Sequence, residues 1–147
     1  MRRLALCLFL FALASANCAA QQESVPVLKE RAEKASPEVC SQLCLQIAER
    51  QLRNADKLYN EGHVAEARAA VDDIVTYSEK ARDAAIQTRK RLKNVEIDAR
   101  KMAERLRDIK RTLAFEDQPP VDEAIRRLED IRTTLLKEMF SKKKENK

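Results

Sequence analysis

Cys40 and Cys44 lie four residues apart in PEVCSQLCLQIAER, residues 37–50, and no other residues in the chain offer as much chemistry. Two cysteines at this spacing can serve as a redox pair, half of a metal site, a covalent staple or two small core residues. Structural zinc takes four ligands, and beyond these thiols the chain has a single histidine, His63, about twenty residues further along. A thioredoxin-like pair spaces its cysteines two apart, and haem attachment needs a histidine directly after the second cysteine, where Leu45 stands. No metal, cofactor or catalytic residue is therefore expected. Residues four apart on a helix have Cα atoms about 6 Å apart, within the reach of a disulfide. Three outcomes stay open: a bridge within the chain, a bridge between two copies, and free thiols.

The compartment bears on that choice. MRRLALCLFLFALASANCAA, residues 1–20, has a positive start at Arg2 and Arg3, an apolar run from Leu4 to Ala14 and small residues after it. That is the form of an export signal, with cleavage expected after Ala20 or, as the rival site, after Ala16. The run is about half the ~20 residues a membrane-spanning helix needs. The expected destination is the periplasm or the exterior, where thiols oxidise. Cys18 could carry lipid, although Asn17 and Ser15 depart from the residues that such processing favours.

Residues 21–35 are expected to be a flexible or partly helical lead-in, 36–140 a helical domain, and 141–147 a basic tail. Charged residues make up 36% of the chain, with one Gly and no Trp. Such a composition matches long helices better than sheets. The net charge is +5 over the full chain and +3 once Arg2 and Arg3 leave with the signal, too little to demand a polyanionic partner. The distribution is blocky. From Asp56 to Lys80 acids outnumber bases six to three, and from Arg82 to Arg111 bases outnumber acids eleven to five. Nucleic acid is not an expected partner, because the basic stretch lacks interleaved aromatics or a reader motif.

The elements that must position the cysteines follow from a heptad pattern. Val64, Ala67, Val71, Ile74, Ser78, Ala81, Ala85, Thr88, Leu92, Val95, Ala99, Met102, Leu106, Ile109 and Leu113 alternate steps of three and four. A sustained 3.5-residue repeat marks a coiled-coil seam. It predicts one uninterrupted helix of roughly 75 Å. Ser36 with Pro37 and Glu38 reads as the start of a preceding helix running to about Tyr59, and Gly62 as its stop. EDQPP, residues 116–120, ends the long helix, and a further helix carries Val121, Ile125, Leu128, Ile131, Leu135 and Met139. The expected fold is all-α: an elongated antiparallel coiled coil, one long central helix with a shorter helix folded back on each half. Cys40 and Cys44 would share a stripe with Leu43, Ile47, Ala55 and Leu58, facing Ala81, Arg82 and Ala85.

LYNEGHVAEARAAVDDI, residues 58–74, resembles the turn of a tetratricopeptide-type hairpin at Leu58, Gly62, Ala67 and Val71. The resemblance implies tight helix packing at that turn, and it does not recur at the ~34-residue period of such repeats. Arg105, Arg107, Lys110 and Arg111 crowd like charges, so acids such as Asp122, Glu123, Glu129 and Asp130 are expected to neutralise them. Adjacent acid pairs such as Asp72–Asp73 splay by about 100° and cannot converge on a substrate.

With only two helices in any cross-section, such a rod would leave an apolar edge open. The expected function is thus an exported, non-enzymatic scaffold or adaptor of the bacterial envelope. Its association seam would be Leu92, Val95, Met102, Leu106 and Ile109, with a protein partner or a second copy in a dimer. One alternative is a periplasmic chaperone-like or stress-response protein offering the seam to unfolded clients. Another is a surface-associated protein using the basic tail Lys142, Lys143 and Lys144. Membrane contact is expected only through lipid on Cys18 or through that tail.

Overall fold

A computed structural model describes residues 23–141. The expected export signal at 1–20, Cys18 and the basic tail Lys142, Lys143 and Lys144 lie outside the described residues. Within them the fold is all-α and no strand is present. The helices are α1 (Val25–Lys34), α2 (Pro37–Asn60), α3 (Val64–Thr88), α4 (Leu92–Thr112) and α5 (Gln118–Ser141), with a 3-10 turn (Phe115–Asp117) before α5.

Local chemistry accounts for most of the boundaries. Ser36 is extended (φ −62°, ψ 154°) ahead of Pro37, whose fixed φ suits a first helical position. Gly62, at φ 80°, closes α2. His63 N–H donates to the Leu58 carbonyl at 2.9 Å and Gly62 N–H to that of Tyr59 at 3.1 Å, the paired bonds of a glycine-terminated helix end. After α4 the chain leaves through extended Leu113, and Gln118 Nε2 donates to the Leu113 carbonyl at 3.1 Å.

The long central helix is not formed. Arg89 (φ 57°) and Arg91 (φ 62°) both take left-handed backbone, so the chain reverses between Thr88 and Leu92. Left-handed backbone costs an L-residue about 1–2 kcal/mol, and neither glycine nor proline announces the break. Thr88 supports it: its hydroxyl donates to the Ala84 carbonyl at 2.9 Å and accepts from Lys90 N–H at 3.3 Å. The uninterrupted heptad pattern belongs to two helices, each burying its own stretch of the stripe.

Two hairpins result. In the first, α2 runs antiparallel to α3, with Ser41 Oγ donating to the Ala81 carbonyl at 3.2 Å and Gln51 donating to Asp73. In the second, α4 runs antiparallel to α5 through Arg107–Glu129 at 2.6 Å, Lys110–Asp122 at 2.7 Å and Arg132–Glu96 at 2.7 Å. Ion pairs then join the hairpins at a nearly constant sequence offset. Arg68–Asp117, Arg105–Asp56 and Arg89–Glu138 are each 49 residues apart, Arg127–Glu79 is 48 and Lys90–Glu38 is 52. A constant offset means parallel running, so α4 lies along α2 and α5 along α3. Helix α1 packs on α2 through Leu28 and Ala32, and Lys29 reaches Asp73 of α3 at 2.6 Å.

One apolar cluster runs through the helices. Burying a large aliphatic side chain contributes roughly 1.5–3 kcal/mol, so this cluster rather than the exposed ion pairs dominates stability.

Candidate functional site

The first two turns of α2 carry the thiols, Cys40 on the first and Cys44 on the second. Cys40 Sγ and Cys44 Sγ are 3.6 Å apart, and both cysteines are free. Cys44 is fully enclosed, whereas Cys40 is half-buried. Cys40 and Cys44 border a cleft of about 380 Å³ between the α1–α2 junction and α3. Its walls include Ala32, Ala35 and Pro37 on one side and Tyr77, Ala84 and Gln87 on the other, with Glu33, Lys80 and Asp83 also lining it. Short alanine side chains leave the space open where larger ones would fill it.

Electrostatics distinguish the thiols' surroundings. Burial pushes the Cys44 thiol up to about 12, the neighbouring Cys40 adds to the rise, and the Lys80 ammonium opposes it. A buried thiol resists ionisation because the thiolate loses its hydration. Tyr77 ties the cleft to α1: the Lys29 and Lys80 ammonium groups lie 5.2 Å and 5.0 Å from its ring centroid. Ser78 Oγ, on the same helix, is buried without a hydrogen-bond partner.

Among the described residues, no three His, Cys, Asp or Glu side chains gather as a metal site. His63 occupies the N-cap position of α3 at the far end of the first hairpin, where its Nδ1 lies 3.0 Å from Glu66 and makes no capping bond to the helix. The cleft thus has two sulfur donors and no imidazole to act as their base. Its chemistry is that of a dithiol.

The proposed seam sits elsewhere and is covered. Val95 and Leu106 are 0% exposed, Met102 2% and Ile109 3%, while Leu92 is half-buried. The expectation of an open edge assumed two helices per cross-section; with the chain reversing at Arg89–Arg91, α5 and the first hairpin cover that edge. The crowded cations of α4 find acids within the chain. Arg107 and Lys110 take Glu129 and Asp122 of α5, Arg105 takes Asp56 of α2, and Arg111 takes Asp108 of its own helix.

Among the described residues four large apolar side chains are exposed: Val27 on α1, and Val39, Phe115 and Phe140 at the bundle ends. Glu38 pairs with Lys90 and Glu138 with Arg89, which brings the start of α2 and the end of α5 to the α3–α4 turn. Val39 is 47% exposed and Phe140 63% at that end. Phe115, 85% exposed, marks the α4–α5 turn.

Sequence reasoning found the thiols and missed the cleft. Tyr77, Lys80 and Asp83 belong to α3, and only the packing of α1 makes them the wall of a cavity. The available signal was small: Leu28 and Ala32, one helical turn apart, are the apolar pair that docks α1. No helix among the described residues is long and apolar enough to cross a membrane. The chain matches no known family model, no curated protein and no solved structure.

Proposed function

We propose that this protein is an exported, non-enzymatic helical scaffold or adaptor of the bacterial envelope that works by contact with a protein partner. The export half of this reading rests on residues 1–20, and the binding half on the bundle end at the α3–α4 turn. Val39 and Phe140 are exposed at that end, where Lys90 pairs with Glu38 and Arg89 with Glu138. An exposed aromatic side chain such as Phe140, with arginine nearby, is of the kind enriched at protein interfaces, and Val39 adds apolar area at the same end. The covered seam lends no support to association through Leu92, Val95, Met102, Leu106 and Ile109, or to client binding through the same residues. The contact surface moves to the end of the bundle.

Site-specific photo-crosslinking in the native envelope tests the reading. A crosslinker at Phe140 or Val39 is expected to trap one discrete protein, and a crosslinker at exposed Gln46 on α2 to trap none. The adduct at Val39 should vanish in Phe140→Asp. Equal trapping at Gln46, or an adduct indifferent to Phe140→Asp, overturns the assignment of this surface. Terminal sequencing of the native protein checks export, with a new N-terminus at Gln21 or Asn17 expected and an intact Met1 counting against it.

A further inference from the structure

We infer that Cys40 and Cys44 form a thiol–disulfide exchange pair, in which Cys40 takes up a low-molecular-weight disulfide from the cleft and Cys44 resolves it. This activity is independent of the adaptor reading. The first support is distance: the Sγ atoms stand 3.6 Å apart on consecutive turns of one helix, and closing to the ~2.05 Å of a disulfide takes side-chain rotation together with a local shift of the first turn of α2, because helix Cβ atoms at this spacing are about 5–6 Å apart. The second is asymmetry. Cys40 is the partly accessible sulfur beside the cleft, and Cys44 is 0% exposed behind it. The third is the cleft itself, about 380 Å³ with Ala32, Ala35 and Ala84 among its walls, which gives one half of a small disulfide somewhere to sit.

The chemistry balances without a metal or an outside reductant. Cys40 loses its proton to solvent and attacks one sulfur of the incoming disulfide. A Cys40–ligand bond forms, the ligand's S–S bond breaks, and the first small thiolate leaves and is protonated. Cys44 then loses its proton and attacks Cys40 Sγ. The Cys40–Cys44 bond forms, the mixed disulfide breaks, and the second small thiol departs. Two protein thiols are oxidised to one disulfide, and one small disulfide is reduced to two thiols.

Burial makes the second step the slow one. Burial suppresses the ionisation of Cys44, and the Lys80 ammonium opposes that suppression. The mixed disulfide on Cys40 therefore accumulates before it is resolved, and Lys80→Met should lengthen its life.

L-cystine is the probe, added to the folded full chain under anaerobic conditions, with acid quenching, alkylation and mass spectrometry at intervals. Trypsin releases residues 35–50 as one peptide containing both cysteines and neither Cys7 nor Cys18. In the wild type that peptide is expected to carry one cysteinyl group transiently and to finish two hydrogens lighter. Cys44→Ser should stop at one cysteinyl group on Cys40. Cys40→Ser should keep Cys44 as a thiol, reacting about ten-fold or more slowly than Cys40 in the wild type. Circular dichroism confirms that the variants are folded, and the wild-type time course tests the inference without them. A wild-type peptide that stays reduced, one that retains two cysteinyl groups, or a Cys44 that reacts in Cys40→Ser at the wild-type rate would overturn it.

Discussion

The two hairpins perform the same structural task with different materials. In α2–α3 many of the fully enclosed positions are small: Ala48, Ala55, Ala67, Ala81 and Ala85 are all 0% exposed, as is Ser78. In α4–α5 the enclosed positions include large side chains, among them Met102, Leu106, Leu128, Ile131 and Leu135. The first hairpin turns on one glycine with a fully bonded helix end, and the second on a 3-10 turn followed by Pro119 and Pro120. Charge follows the same division. Three arginine or lysine side chains of the second hairpin cross between α4 and α5 to carboxylates, whereas the first relies on a serine-to-carbonyl bond and an amide-to-carboxylate bond. Small residues bring backbones close, and a cleft of about 380 Å³ remains where a third helix docks on them; the α4–α5 hairpin keeps a smaller one of about 290 Å³, lined by Arg107, Lys110, Arg111, Asp122 and Ile125. The dithiol cleft accordingly lies on the alanine-rich hairpin.

The sharpest way to break this comparison is to remove volume where volume is the adhesive. Leu128→Ala deletes a side chain that is 0% exposed. Large-to-small substitutions of this kind lose transfer free energy and leave a cavity, so about 2–5 kcal/mol of destabilisation is expected. Urea unfolding followed by circular dichroism measures it. A loss under about 1 kcal/mol would mean that the α4–α5 interface collapses freely around the gap, unlike a close-packed core.

Adding volume should hurt the other hairpin. Ala81 is 0% exposed on α3, and its carbonyl accepts the Ser41 hydroxyl of α2. Ala81→Leu must push α2 from α3, at an expected cost of about 1–3 kcal/mol. It should also expose Cys44 to alkylation, because α2 and α3 together enclose that thiol. Unchanged stability with Cys44 still protected would show that the close approach is not what holds this hairpin together.

These contrasts indicate what the sequence could and could not carry. Helix type, the start at Ser36–Pro37 and the stop at Gly62 were legible because each has a local physical cause within a few residues. Burial along the stripe was legible too: every residue from Val64 to Leu113 in that pattern is buried or half-buried. What the stripe packs against was not legible. A heptad repeat says that a face is covered and is silent on whether one long helix or two antiparallel ones present it. The decision rests on Arg89 and Arg91, two residues that form helix readily elsewhere and adopt left-handed backbone here because tertiary packing outweighs local preference. The cleft was hidden for the same reason, since its walls come from three helices whose arrangement depends on that reversal.

The link between the hairpins offers the third test. Arg91 holds a left-handed conformation at φ 62°, and its Nε is buried without a partner. Arg91→Gly removes the steric strain and the orphaned nitrogen, against a larger entropy loss on ordering glycine. A net stabilisation of about 0.5–1 kcal/mol is expected, read as a rise in the urea midpoint with an unchanged slope. Destabilisation would show that the Arg91 side chain supports the junction more than its backbone strains it.

The smallest effect separates the hairpins by their charge. Hydrogen bonding from Arg107, then from Arg132, holds the Glu129 carboxyl below its ordinary value of 4.5. A depressed folded value means that the unfolded chain binds the proton more readily. The stabilisation is therefore complete above pH 4.5 and is lost as the pH falls through the lower folded value. Asp98 opposes it. Burial raises its carboxyl above 3.8, so the folded chain takes up that proton first and gains relative stability as the pH falls through the raised value. Because Glu129 is about one-third exposed, solvent screens its pairs and keeps the change modest. Between pH 5 and 3, Glu129→Gln should fall less steeply in stability than the wild type, and Asp98→Asn more steeply. Parallel curves for the wild type and Glu129→Gln would show that the α4–α5 charge ladder orders side chains without stabilising the hairpin, leaving side-chain volume as the difference between its two halves.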